Sequence, residues 1–280
     1  MTVLLSLLLG LVQGIAEFLP ISSSGHLAII QNLFNMDYAE EGHLFFDVLL
    51  HLGTLISICV VYWIDIKAML ADGVQYIRDR ADSDLGEPVV LKPQARALLF
   101  IIIGTVPMVL AVIFMGPIKR LFFNTAFIGF ALIITGGLLF VSDKLITRGS
   151  RSEKTMTVVD ALIIGLAQAV AALPGLSRSG TTIVVGLSRG LNPTFAVRFS
   201  LLLSIPAVFC AMIYEIFSAF RHGISLSMLP IYLAGFVITT IVGFFAIQLI
   251  RRLVSKGGFG YFAYYCFGVG ALTLILSLIL

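Results

Sequence analysis

The sequence predicts an all-α polytopic membrane protein, an inverted-topology repeat with two re-entrant helix-loop-helix segments and about six full transmembrane crossings. Three observations carry that expectation. Hydrophobic residues fill 59% of the 280 positions and charged residues only 12%, against about 25% charged in a soluble domain, so lipid is the solvent for most of the surface. Apolar runs of roughly 18 or more residues, long enough to span a hydrocarbon core, recur without the alternation of barrel strands. Two further apolar stretches, 3–30 and 157–190, are interrupted midway by proline, glycine and clustered serines.

Taken in order, the broken stretch 3–30 is followed by crossings at about 46–66, 96–115 and 126–142, with a short surface helix in the connection 67–95. These make a first repeat, residues 1–150. The second repeat, 151–280, runs from the broken stretch 157–190 through crossings at about 195–220, 229–250 and 259–280, and the two form a single membrane domain. Setting GLVQGIAEFLPISSSG (10–25) over GLAQAVAALPGLSRSG (165–180) needs no gap at a constant offset of 155. Gly10, Leu11, Gln13, Ala16, Ser22, Ser24 and Gly25 then fall on identical residues. If each broken stretch enters and leaves by one face, three crossings per half put the second half on the opposite side. Inverted repeats of this kind meet near the midplane, where non-helical backbone is tolerated because it lines a cavity.

Charge placement supports the same topology. One face collects Lys67, Arg78, Arg80, Lys92, Arg96, Lys144, Arg148, Arg151, Lys154, Arg189, Arg198, Arg251, Arg252 and Lys256. The other has only Lys119, Arg120 and Arg221, with the acidic stretch DYAEE at 37–41. Cytoplasmic loops collect Lys and Arg, so the first face is read as inside and the mouth of the first broken stretch as outside. Cys59, Cys210 and Cys266 lie in apolar runs without metal-ligand spacing and read as small core residues. The N-terminus shows no basic n-region or cleavage site, so no removed signal peptide is expected.

The polar residues inside the broken stretches are where chemistry is expected, since ionisable groups at membrane depth are functional by default. Gln13 and Glu17, four apart, project from one helix face. Pro20 helps end that helix, and Ser22 or Ser24 is placed to cap the next one, near His26. Ser22, Ser23, Ser24 and the backbone N–H groups from Gly25 onward then form an anion site at a helix N-terminus. In the second loop, PGLSRSGTT, Arg178 stands between Ser177 and Ser179 and ahead of Gly180, Thr181 and Thr182; a fork of donors flanked by hydroxyls suits phosphate oxygens. Glu17 and Arg178 as a purely structural ion pair is the bland reading, but it does not call for two serine loops and a histidine. Asp47 and Asp160 read as helix caps, and His51 is divided evenly between core packing and cavity lining.

QGIAEFLPISSSGH and PGLSRSGTT resemble the two signature motifs of the undecaprenyl-pyrophosphate phosphatase family, the bacitracin-resistance proteins. The resemblance spans the whole chain. It implies a bacterial inner-membrane enzyme that removes the terminal phosphate from undecaprenyl diphosphate and returns the monophosphate carrier to cell-wall synthesis. The family's first motif places Glu or Gln four residues before Glu; here these are Gln13 and Glu17, which leaves one carboxylate for a divalent cation, Mg²⁺ or Ca²⁺. The resemblance assigns catalytic roles to Glu17, Ser23, His26 and Arg178. It implies substrate contacts from Gln13, Ser22, Ser24, Gly25, Ser177, Ser179, Gly180, Thr181 and Thr182. The nucleophile is left open among water, Ser23 and His26. The implied partners are the polyprenyl diphosphate and membrane lipids, with no nucleic acid; a second copy of the chain is an open possibility through Gly136–Gly137.

Two other functions fit parts of this pattern. A polyprenyl-phosphate transporter or flippase would use the same cavity, because discontinuous helices in inverted repeats are a transporter architecture, but it has no need of an activated nucleophile beside a metal ligand. An intramembrane serine protease would need a GxSG nucleophile motif, which is missing.

Overall fold

Proline, glycine and capping side chains divide the apolar sequence into helices. The computed structural model describes residues 1–34, 43–83, 89–146, 149–222, 226–254 and 259–278. Among these, thirteen α-helices follow one another: α1 (Val3–Ala16), α2 (Ser23–Leu33), α3 (His43–Val61), α4 (Trp63–Asp82), α5 (Pro93–Thr105), α6 (Met108–Ile113), α7 (Met115–Leu121), α8 (Thr125–Ile146), α9 (Val158–Val170), α10 (Arg178–Ser188), α11 (Pro193–His222), α12 (Leu229–Val254) and α13 (Phe259–Ser277). The acidic stretch 37–41 lies outside the described residues.

The chain is an all-α polytopic membrane protein. Thr125–Ser142, Pro193–Cys210, Leu229–Val254 and Phe259–Ser277 are long and apolar enough to cross a bilayer, and the α3–α4 pair, bent by 75°, makes a fifth candidate. Two elements differ from expectation. The crossing expected at 46–66 stops at Val61, and the chain turns into the 20-residue α4, longer than the short surface helix expected in 67–95. That helix alternates exposed Trp63, Leu70, Val74 and Ile77 with Asp65, Lys67, Asp72 and Arg78, the pattern of a helix with one wet side. The crossing expected at 96–115 is divided, because Pro107 can neither donate to the helix ladder nor avoid the preceding carbonyl.

The two broken stretches fold alike. Helices α9 and α10 begin 155 residues after α1 and α2, and the capping residues Thr157 and Ser177 stand 155 after Thr2 and Ser22. Each stretch packs on a helix of the other half at a glycine pair. A Cβ on Gly10 would lie 2.5 Å from the Gly235 carbonyl oxygen of α12, and one on Gly165 would lie 2.2 Å from that of Gly104 in α5. With no side chain at these points, backbones approach closely enough for the broken helices to bury in the bundle. The central core draws Phe18, Phe100, Leu139, Ile164, Phe199 and Leu203 from both halves.

Asp160 anchors the entry to α9, beyond the spans. Thr157 and Asp160 form a capping box, and the buried carboxylate also takes Arg151 at 2.6 Å and Arg189 at 2.8 Å. Burial alone would raise this carboxyl, but Arg189, the Thr157 amide and hydroxyl, and Arg151 outweigh it and hold it well below the usual carboxylate range.

Candidate active site

The first loop begins where α1 ends at Ala16, four residues before the helix-breaking Pro20. Ser22 caps α2, its hydroxyl accepting the Gly25 N–H at 3.2 Å. Ser177 caps α10 in the same way, accepting the Gly180 N–H at 3.1 Å. Within each loop the flanking serine hydroxyls stand 3.3 Å apart, Ser22 to Ser24 and Ser177 to Ser179. The loops part company at Ser22, whose φ of 71° makes it the one non-glycine residue with positive φ among those described. Ser177 has an ordinary φ of −75°. Such a conformation costs about 1–3 kcal/mol and persists only where the surroundings dictate it.

The surroundings at Ser22 are identifiable. His26 Nδ1–H donates to the Ser22 carbonyl at 2.8 Å. In the neutral ring Nε2 is then the acceptor, and the Tyr265 hydroxyl of α13 donates to it at 2.9 Å. The two rings lie nearly parallel, 9° apart. The loops also pack against each other. A Cβ on Gly25 would meet Gly175 Cα at 3.0 Å, and one on Gly180 would meet Pro20 Cβ at 3.2 Å. Thr135 of α8 clips the second loop, donating to the Gly175 carbonyl at 3.0 Å and accepting the Ser177 N–H at 3.1 Å.

Glu17 is the hub of the site. Its Oε1 pairs with the Arg178 guanidinium, and its Oε2 accepts from Ser23 Oγ at 2.6 Å and from Gln13 Nε2 at 3.0 Å. The other Gln13 N–H faces His51 Nδ1 at 3.3 Å. Both amide protons are therefore committed, and Gln13 Oε1 stays buried without a partner. Arg178 likewise keeps one buried nitrogen, Nη1, unpaired. Nearly every buried polar group in a folded protein has a partner, so two unpaired atoms this close to Glu17 mark a place built for a polar ligand; of the two residues, Arg178 lines the adjoining space.

That space is a cavity of about 200 Å³ lined by Glu17, Ser22, Ser23, Ser24, Ser177, Arg178 and Ser179 together with His51, Gln168 and apolar side chains such as Met108, Phe122 and Val208. Pockets for drug-sized ligands start at about 300 Å³, so this one suits a small polar head. Of the residues predicted from sequence, those seven meet in its wall, and Gln13 stands behind Glu17. The others are placed elsewhere. His26 does not line the cavity, its two nitrogens being taken by the Ser22 carbonyl and the Tyr265 hydroxyl; the Gly25 and Gly180 N–H groups are taken by the capping serines, and Thr182 bonds the Arg178 carbonyl and Ser200. Thr181 Oγ1 is buried without a partner but does not line the cavity. Sequence reasoning left out Tyr265 and Gln168 and did not commit to His51; a histidine within the apolar run LLHLGTL was a usable signal for the last.

A candidate cation site must be judged on the same side chains. Among the described residues no three His, Cys, Asp or Glu gather into a ligand cluster, so the protein alone offers no closed cage. An open site fits. Glu17 and the unpartnered Gln13 Oε1 supply two oxygens, and hard cations complete such sets with water and substrate phosphates.

Comparison with known proteins adds an independent line. The family model described as bacitracin resistance protein BacA matches residues 6–272. An undecaprenyl-diphosphatase of Methanosphaera stadtmanae is 38% identical over 281 residues, 99% of each chain. That of Alkaliphilus metalliredigens is 39% identical over the full length of both. That of Syntrophotalea carbinolica is 38% identical over 99% of this chain and all of its own.

Proposed function

Because the chain belongs to the bacitracin resistance protein BacA family, we propose that it is an integral membrane phosphatase that hydrolyses undecaprenyl diphosphate to undecaprenyl phosphate and inorganic phosphate. In that role it recycles the lipid carrier for cell-wall synthesis and confers resistance to bacitracin. The observation that carries the reading is the meeting of Glu17, Ser23 and Arg178 in one serine-lined cavity. The polyprenyl tail lies among the membrane helices, and the diphosphate occupies the cavity.

The residues divide the work as follows. Arg178, with Ser177 and Ser179, holds phosphate oxygens; it leaves Glu17 for them, exchanging one carboxylate for a doubly charged headgroup and bringing its free Nη1 into use. Glu17, released from the guanidinium, accepts the proton of Ser23 Oγ, already 2.6 Å from Oε2. Ser23 attacks the terminal phosphorus, the polyprenyl monophosphate leaves, and water then hydrolyses the phosphoserine. His26 acts at one remove, fixing the strained Ser22 carbonyl and so the position of its neighbour Ser23. Glu17 and Gln13 Oε1 would hold a divalent cation, Mg²⁺ or Ca²⁺. When bound, it neutralises phosphate charge during transfer. The charge distribution supports a plasma (inner) membrane protein whose cavity opens toward the outer, periplasmic face.

The test is phosphate release from undecaprenyl diphosphate by the purified protein in detergent, with Mg²⁺, with Ca²⁺ and with EDTA. Metal-dependent release by wild type, abolished in Glu17→Ala, Ser23→Ala and Arg178→Ala, is the expected result. A well-folded wild type that releases nothing would overturn the reading.

A further inference from the structure

We infer that Gln168 is a substrate-positioning residue whose side-chain amide donates to a phosphate oxygen of the diphosphate headgroup. The inference rests on the diphosphatase reading above. Gln168 is fully buried, its relative exposure 0%, in the second half of α9, and it forms part of the cavity wall with Glu17, Ser23 and Arg178. Both of its polar side-chain atoms, Nε2 and Oε1, lack any hydrogen-bond partner. An amide held away from water with neither end satisfied is costly, so a permanently empty environment is a poor account of it.

The sequence explains how the amide comes to be free. Gln168 stands 155 residues after Gln13, in the corresponding turn of the corresponding helix. Gln13 spends its amide protons on Glu17, four residues on, and on His51. At the position corresponding to Glu17 the second repeat has Ala172, which itself lines the cavity. Deleting that carboxylate both opens space and frees the amide for something outside the protein. The chemistry of the unused atoms says what. Gln168 Nε2 and Arg178 Nη1 are two buried, uncommitted donors on the same small cavity, beside serine hydroxyls that donate or accept. Donors in that setting suit an anion with several oxygens. The remaining acceptor, Gln168 Oε1, takes a water or a protonated phosphate oxygen.

The experiment uses full-length protein in detergent with Mg²⁺ and two variants that keep the bulk of the side chain without its amide, Gln168→Leu and Gln168→Met. Steady-state kinetics on undecaprenyl diphosphate are read beside the thermal shift produced by a non-hydrolysable prenyl methylenediphosphonate. Both variants are expected to keep or raise the ligand-free melting temperature, since they remove a buried unsatisfied group. They are expected to raise KM about tenfold, roughly 1.4 kcal/mol, with a smaller change in kcat, and to lose most of the ligand-induced shift. Gln168→Glu, which turns a negative charge on the phosphates, is expected to abolish that shift. Wild-type KM and shift in the Leu and Met variants would overturn the inference, as would undiminished binding by Gln168→Glu. A wild type that neither releases phosphate nor responds to the diphosphonate would instead sink the diphosphatase reading, and this inference with it.

Discussion

Glu17 must serve Arg178, Ser23 and Gln13 at once, and stability and activity should separate when these partners are removed one by one. Taking away one member of a largely buried ion pair leaves an uncompensated charge, at about 3–5 kcal/mol, whereas replacing both with apolar groups of similar volume is near neutral. Glu17→Leu and Arg178→Met should therefore each lower the melting temperature in detergent, and the double variant should recover most of the loss. Activity should not recover, because both groups are also proposed to act on the phosphate; each single change is expected to cost at least 10²-fold in kcat. Recovery of turnover in the double variant would show the pair to be structural. At Ser23 the outcome is simpler: Ser23→Ala should fall to background while His26→Asn and Tyr265→Phe, which disturb only the support of the Ser22 carbonyl, should lose roughly 10-fold. An ordering in which His26→Asn is the more damaging would give the nucleophile's role to the imidazole instead.

The broken stretches show what a sequence states openly and what it withholds. Helix starts, capping serines and the offset of 155 were all legible, because they rest on local chemistry: hydroxyls that accept N–H groups three residues on, and a proline that ends a ladder. The course of Glu17 toward Arg178 also followed from bringing the two loops together. Which histidine faces the cavity was not legible, since His26 sits in the serine motif and His51 comes from a different helix that only packing delivers. The division of 96–115 at Pro107 was present in the letters and outweighed by the apolar run around it. Packing also explains glycines that composition leaves mute. Gly165→Val should push α9 off α5, since even its Cβ would collide with the Gly104 carbonyl oxygen. Overpacking of this kind costs about 1–3 kcal/mol, and because α9 also carries Gln168, a rise in KM should accompany the lower melting temperature. Gly137→Val, at a glycine with open space around it, is the matched control and should change neither.

At the scale of the molecule, charge ties fold to orientation. Asp160 closes one face by drawing the 149–156 connection and the end of α10 onto the start of α9, and its carboxyl is held below the usual range. A depressed folded-state pKa contributes stability that is present above the unfolded value, about 3.9, and lost as pH falls below it. Wild type should lose more melting temperature between pH 6 and pH 3 than Asp160→Asn, which at neutral pH should be less stable by on the order of 2 kcal/mol. That figure is below the fully buried range because both arginines are partly exposed. The same cluster places Arg151 and Lys154 on the face proposed as cytoplasmic. Helix α8 makes the proposal testable, since it is long enough to span the bilayer and its ends must then emerge on opposite sides. Asn124 caps its N-terminal end, beside Arg120, while Glu153 lies beyond its C-terminal end in the Arg- and Lys-rich connection. In a background lacking Cys59, Cys210 and Cys266, Asn124→Cys in intact cells should react with a membrane-impermeant maleimide added outside, and Glu153→Cys only after the membrane is opened. The reverse pattern would turn the protein over, and the cavity proposed to receive the diphosphate would have to take it from the cytoplasmic side.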